Sequence, residues 1–114
     1  MFDEDEVIAR CKERIKAGDA NAAMMLGCQY NNPNSSLRQD SRKAMDLWLK
    51  AAALGSAQAH YLVGNTYMNE KGINRNMDKV VTHYRLAAIG GREKARHNLG
   101  CLEYGFGNVD STYL

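Results

Sequence analysis

His97 and Cys101 stand four residues apart. On a helix that spacing puts an imidazole and a thiol on one face, the start of a zinc site or of a cysteine–histidine nucleophile. Neither chemistry is completed. Zinc needs three or four protein ligands, and Cys28, which shares the register of Cys101, lies two repeat units earlier and beyond the reach of one ion. A thiol nucleophile needs a group that orients its histidine and donors for an oxyanion, and neither accompanies this pair. Cys11 and Cys28 flank the Gly18 turn, where a disulfide competes with two free thiols packed as small hydrophobes; the packed thiols are the expectation. His60 and His83 read as surface or half-buried residues rather than ligands. Gly90-Gly91 before Arg92 fits a helix stop better than an anion site, and Gly105-Phe106-Gly107 opens no helix and is no phosphate loop. These readings predict a non-enzymatic protein with no catalytic residue, no metal and no cofactor.

The elements behind these residues belong to a folded chain. Of its 114 residues 45% are apolar and 25% charged, with a single proline, the balance of one globular domain. The net charge is +2; with Asp3, Glu4, Asp5 and Glu6 set aside, 15 basic residues face nine acidic ones and the rest carries +6. Arg92, Lys94 and Arg96 are the one dense basic group, and on a helix only the first and last are neighbours, so no nucleic-acid footprint forms. The acidic start suits the positive end of a helix and is wrong for a signal or transit peptide. No apolar run approaches the roughly 20 residues of a membrane span. Three cysteines are too few for a disulfide framework, which points to the cytoplasm or another reducing intracellular compartment.

The chain also repeats itself. Shifted by 36 or 37 residues, Ala22 falls on Ala59, Leu26-Gly27 on Val63-Gly64, Tyr30 on Tyr67, Lys43 on Lys79, Trp48 on Tyr84, Ala51-Ala52 on Ala87-Ala88 and Gly55 on Gly91. A third partial copy carries Ala95 and Leu99-Gly100, and a leading helix ends at Ala17-Gly18. Each copy reads as two helices: Asp19, Asp40 and Asn76 are N-caps, Gly55 and Gly90-Gly91 are stops, and turn-rich segments lie between. No segment alternates like a strand. Three helix-interior glycines in one register, Gly27, Gly64 and Gly100, predict a close backbone approach, since each costs about 1 kcal/mol relative to alanine. Ala51-Ala52 and Ala87-Ala88 are the expected opposing face, with Trp48, Tyr84 and Cys11 filling the gaps between neighbouring hairpins. The fold class is all-α, an α/α solenoid of about five to six helices in stacked pairs. Residues 1–107 form the repeat domain and residues 108–114 a C-terminal tail.

The pattern Ala22-x-x-x-Leu26-Gly27-x-x-Tyr30, followed by Lys43-Ala44, Trp48, Lys50-Ala51-Ala52 and Gly55, resembles the Sel1-like repeat family, relatives of the tetratricopeptide repeats. Ala59, Gly64, Tyr67, Gly72, Lys79, Tyr84, Ala87 and Ala88 repeat it, and the resemblance covers residues 17–107. The chain departs from the family pattern at Pro33 and its neighbouring asparagines, and at Glu103, which takes the tyrosine position of the third copy. The resemblance implies an adaptor or scaffold that holds other proteins. From the helical period, Tyr61, Asn65 and Met68 form a second stripe, with Met24 and Cys28 in the first copy and His97, Cys101 and Tyr104 in the third. Together with Phe106 these are the expected partner-binding residues, a groove for a protein or peptide. The alternative is a fixed structural or accessory subunit of a larger assembly, held by the apolar tail and the open end of the stack.

Overall fold

The structure is a computed structural model; it describes residues 4–35, 37–69 and 76–105, with side chains from 5 to 102. Six helices follow one another: α1 (Glu4–Lys16), α2 (Ala20–Asn31), α3 (Ser41–Ala53), α4 (Ala57–Met68), α5 (Met77–Ile89) and α6 (Glu93–Gly105). Among the described residues there is no strand. The substantial contacts join helices that are neighbours in the chain, so the fold grows as a row of hairpins, α2 with α3 and α4 with α5. The Cα radius of gyration is 16.0 Å, against about 13 Å for a compact domain of this length. The stack is elongated, as the solenoid expectation requires.

Local chemistry fixes where each helix begins and ends. Side chains of Asp19, Asp40, Ser56 and Asn76 accept the backbone N–H groups of Ala22, Lys43, Ala59 and Lys79 at 3.0, 3.0, 3.0 and 3.2 Å, each satisfying a donor that the helix cannot. Gly18, Gly55 and Gly91 have φ of 91°, 101° and 95°, the left-handed turn that glycine adopts without a Cβ clash. In each case the next N–H reaches back to close the turn: Asp19 to the Arg14 carbonyl, Ser56 to Ala51 and Arg92 to Ala87. The stop expected at Gly90-Gly91 is therefore made by Gly91. Gly90 instead lies against Ala57 of α4, where a Cβ would collide with the alanine methyl.

The interior glycines meet the expected close backbone approach only at Gly27, where the Ala44 carbonyl would stand 3.1 Å from a Cβ, and even there an aromatic ring is nearer. A Cβ on Gly27 would stand 2.7 Å from the Trp48 indole, and one on Gly64 would stand 2.7 Å from the Tyr84 ring. The aromatics thus lie flat inside their own hairpins, on the glycines, rather than chiefly between hairpins. Their polar tips bond to the same facing helix: the Trp48 indole N–H donates to the Met24 carbonyl at 3.2 Å, and the Tyr84 hydroxyl donates to Asn65 Oδ1 at 2.5 Å. The alanine pairs do not oppose the glycines. Ala51 and Ala52 pack with Ile15, Ala23, Leu26 and Ala59, and Ala87 packs with Ala95 and Leu102. They make the contact between one hairpin and its neighbours, where small side chains let helices approach. Gly100 has nothing within 4 Å of a Cβ position among the described residues; no ring lies over it.

Gly27→Ala and Gly64→Ala each gain about 1 kcal/mol of helix propensity and incur about 1–3 kcal/mol of overpacking against an aromatic ring. The net expectation is a lower melting temperature for both variants by a few degrees, read by far-ultraviolet circular dichroism. An unchanged or raised value would mean that the rings do not rest on these glycines.

Candidate functional site

The residues expected to bind a partner run along α2, α4 and α6, and the structure divides them. Met24 and Cys28 are half-buried against the Ala44–Trp48–Val63 cluster, the thiol 3.7 Å from the methionine sulfur. Tyr61 and Met68 pack on the Val80–Tyr84 cluster, with the Tyr61 and Tyr84 ring centroids 6.0 Å apart. Much of the row is thus wall rather than free surface. His97 and Cys101 are exposed, Nε2 and Sγ 3.6 Å apart. The side chain of Tyr104 and the whole of Phe106 lie outside the described residues.

Three of the row, Asn65, Met68 and Cys101, come together with Asn69, Tyr84, Asn98 and Leu102 around a groove of about 310 Å³ between α4 and α6. Its floor is the Tyr84 hydroxyl, held by Asn65 and hydrogen-bonded by Asn98. Burial raises the Tyr84 pKa, the Asn98 hydrogen bond opposes that rise, and nearby Tyr61 adds to it. The phenol stays neutral at physiological pH and fixes both amides. Asn69 and Cys101 are exposed at the rim. A mixed wall of amides, a thioether and apolar carbon suits an extended backbone or a side chain docked edge-on.

Asn98 escapes sequence reasoning because the repeat carries no signal for it, whereas Asn69, whose equivalent is Asn32, reads in the sequence only as a turn residue. The positions equivalent to Asn98 hold Leu62 and Met25, so nothing in the period marks an amide there. A larger hollow of about 540 Å³ lies beside Ile8, Tyr30, Leu37 and Lys43. Its polar groups are occupied by the loop itself: Gln39 donates to the Asn31 carbonyl, the Asp40 N–H to the Tyr30 carbonyl, and the Asp40 carboxylate caps α3. The α4–α6 groove is the better candidate.

His60 and His83, expected to be unremarkable, face each other across the second hairpin with Nδ1 atoms 2.9 Å apart. One must donate and the other accept, so the accepting ring at least is neutral in this contact, and the two cannot both be protonated while it lasts. Tyr67 stacks on His83, and Lys79 lies over Tyr67 at 5.2 Å, as Lys43 lies over Tyr30 at 5.4 Å. The repeated lysine–tyrosine pairs are cation–π contacts that tie the ends of each hairpin. Burial lowers the His60 pKa, opposed by a hydrogen bond to the Ala52 backbone. Burial also lowers that of His83, and positive charge on His60 and Lys79 lowers it further. Among the described residues no three His, Cys, Asp or Glu side chains are placed to share a metal ion. Cys11 and Cys28 are half-buried thiols packed against neighbouring clusters, and Cys101 is an exposed thiol.

The hairpin geometry is matched by comparison. Residues 20–56 and 57–91, the two full hairpins, each match the Sel1 repeat. The chain belongs to the Sel1 repeat family. It is similar in structure to a Sel1 repeat protein from Oxalobacter formigenes, with a TM-score of 0.73 and 27% identity over 86% of this chain and 74% of the other. It is equally similar, at a TM-score of 0.73 and 33% identity, to c5321, a protective antigen of uropathogenic Escherichia coli strains displaying an SLR fold. That match covers 87% of this chain and 21% of the antigen. No curated protein matches by sequence. Sel1 repeat proteins are in general helical-repeat proteins of protein interaction. No described helix of this Sel1 repeat chain is long and apolar enough to cross a membrane.

The histidine pair gives the second Sel1 repeat a pH dependence that the first lacks. Between the lowered native values and the ordinary 6.5, the unfolded chain binds more protons than the folded one. Stability is therefore full above about pH 6.5 and declines as pH falls through that window. His60→Ala with His83→Leu recreates the Ala23 and Leu47 of the first repeat and flattens the decline. Thermal melts near neutral pH and about one unit below the ordinary histidine value check this; equal slopes in both proteins contradict it.

Proposed function

We infer that this chain is a non-enzymatic protein-interaction module, an adaptor or scaffold that holds a peptide or protein segment in the groove between α4 and α6. One observation carries the reading: exposed Asn69 and Cys101 and half-buried Met68 and Asn98 converge on one cleft, at a place where the hairpins themselves are already closed. Two of the amides, Asn65 and Asn98, are anchored on the Tyr84 hydroxyl, which presets the cleft and lowers the entropy lost on binding. His97 stands one turn before Cys101 on the same face and extends the surface along α6. Support also comes from the family, whose members act chiefly by interaction.

Tyr61 and Met68 pack on the core, so substituting them confounds binding with folding. Asn69 and Cys101 are exposed. Asn69→Ala with Cys101→Trp removes an amide and fills the cleft, and the expected melting temperature stays close to that of the parent chain, as for surface changes. The expected outcome is loss of the proteins that co-purify with the parent chain from its native source. An identical co-purifying set would place the binding surface elsewhere.

A further inference from the structure

His60 on α4 and His83 on α5 aim their Nδ1 atoms at each other across the second hairpin, 2.9 Å apart. The fold does not ask for them, since the first hairpin closes with Ala23 and Leu47 in the same places. What the pair adds is two nitrogen donors from two helices, each ring half-buried and still reached by water. Both rings are held. His60 is hydrogen-bonded to the Ala52 backbone of α3, and because its Nδ1 faces His83, that bond falls to Nε2–H. The His60 Nδ1 is therefore the bare lone pair, and His83 donates its Nδ1–H to it. Tyr67 stacks on His83 at 25°, the ring centroids 6.1 Å apart. A carbonyl bond on one ring nitrogen, leaving the other as a lone pair, is how histidines are prepared as metal ligands. We propose that His60 and His83 together bind a divalent transition-metal ion of right-angle coordination, nickel(II) or copper(II), which braces α4 to α5.

The donor set narrows the ion. Calcium and magnesium take oxygen ligands, and neither ring brings one. A structural zinc takes four protein ligands, and among the described residues no third His, Cys, Asp or Glu joins this pair. Two nitrogens each about 2.0–2.1 Å from an ion span about 2.9 Å at a right angle and about 3.3 Å at the tetrahedral angle. The observed separation is the right-angle span, which suits nickel(II) and copper(II). The rings now meet nearly head-on, with centroids 5.1 Å apart, so each tips toward solvent to aim its lone pair at a shared ion. His83 passes its proton from Nδ1 to Nε2, which leaves both rings neutral and releases no proton. Water fills the remaining positions on the ion. Lys79, whose charge bears on His83, opposes the cation and keeps the site weak and reversible. His97 and Cys101, by contrast, lie exposed on a single helix and cross-link nothing. An ion held between α4 and α5 stabilises the hairpin in which Tyr84 rests on Gly64.

The probe is nickel(II) chloride, which leaves the thiols unoxidised, titrated into the full 114-residue protein after removal of adventitious metal with a chelator. Isothermal calorimetry and thermal melts are the readouts. Saturable binding of a single ion is expected, with a melting temperature that rises as the free ion exceeds its dissociation constant. His60→Ala with His83→Leu, which recreates the residues of the first hairpin, loses both effects. His60→Ala alone leaves one imidazole and weakens binding by more than the about tenfold that loss of a supporting hydrogen bond costs a metal site. Lys79→Gln tightens binding, and His97→Ala leaves it unchanged. Absence of saturable binding, or equal binding to the double variant, overturns the proposal. Binding that survives in the double variant and disappears with His97→Ala would place the ion on α6 and overturns it as well. Tighter binding of zinc(II) than of nickel(II) contradicts the right-angle geometry and has the same consequence.

Discussion

An aromatic ring lying on a bare stretch of helix backbone is the contact on which the two full hairpins depend. Trp48 over Gly27 and Tyr84 over Gly64 set how closely α2 approaches α3 and α4 approaches α5. Both rings are nearly fully buried, at 4% and 2% exposure. A Cβ at either glycine would push the ring out, so the propensity lost by glycine is offset by dispersion over the whole face of a large side chain. The polar tips extend the same contact: an indole N–H on a carbonyl and a phenol on an amide fix rotation as well as distance.

From that contact the remaining packing follows in one dimension. With each hairpin closed by a ring, its outer surfaces are left to Ala51, Ala52, Ala59, Ala87 and Ala95, which are buried and let the next helix come near. The positive-φ glycines at 18, 55 and 91 turn the chain at the same point of every unit. The core is consequently a series of small clusters along the stack rather than one centre, the arrangement in which each repeat leans on its neighbours for stability. Side chains that such a stack does not need are free to differ between repeats. That is why His60 and His83 stand where the first repeat has Ala23 and Leu47, and why Asn98 stands where the others have Met25 and Leu62.

The candidate site was partly legible in this way. Asn65, Met68 and Cys101 were visible because a helical period places them on one stripe, and they do line the groove. Tyr61, Met24 and Cys28 lie on the same stripe yet are half-buried against neighbouring clusters, because a stripe does not say which part of a helix face a neighbouring helix covers. From the sequence Tyr84 is filler between hairpins, whereas in the structure its ring closes its own hairpin and its hydroxyl organises the groove floor. The histidine pair was invisible: the two residues are 23 apart and nothing in either local setting announces a partner.

The amino-acid sequence by itself determined the helices, their caps and stops, and the hairpin repeat, because these rest on local chemistry: side-chain oxygens within three residues of an N–H, glycine at positive φ, and apolar residues at a period of 3.6. Tertiary structure alone decided what each repeated small residue faces. Glycine and alanine both signal close approach, but only the packed arrangement gives the rings to Gly27 and Gly64, the next hairpin to the alanine pairs, and no described neighbour to Gly100. The physical reason is that a missing side chain specifies a distance and not a partner; the partner depends on which helix arrives there.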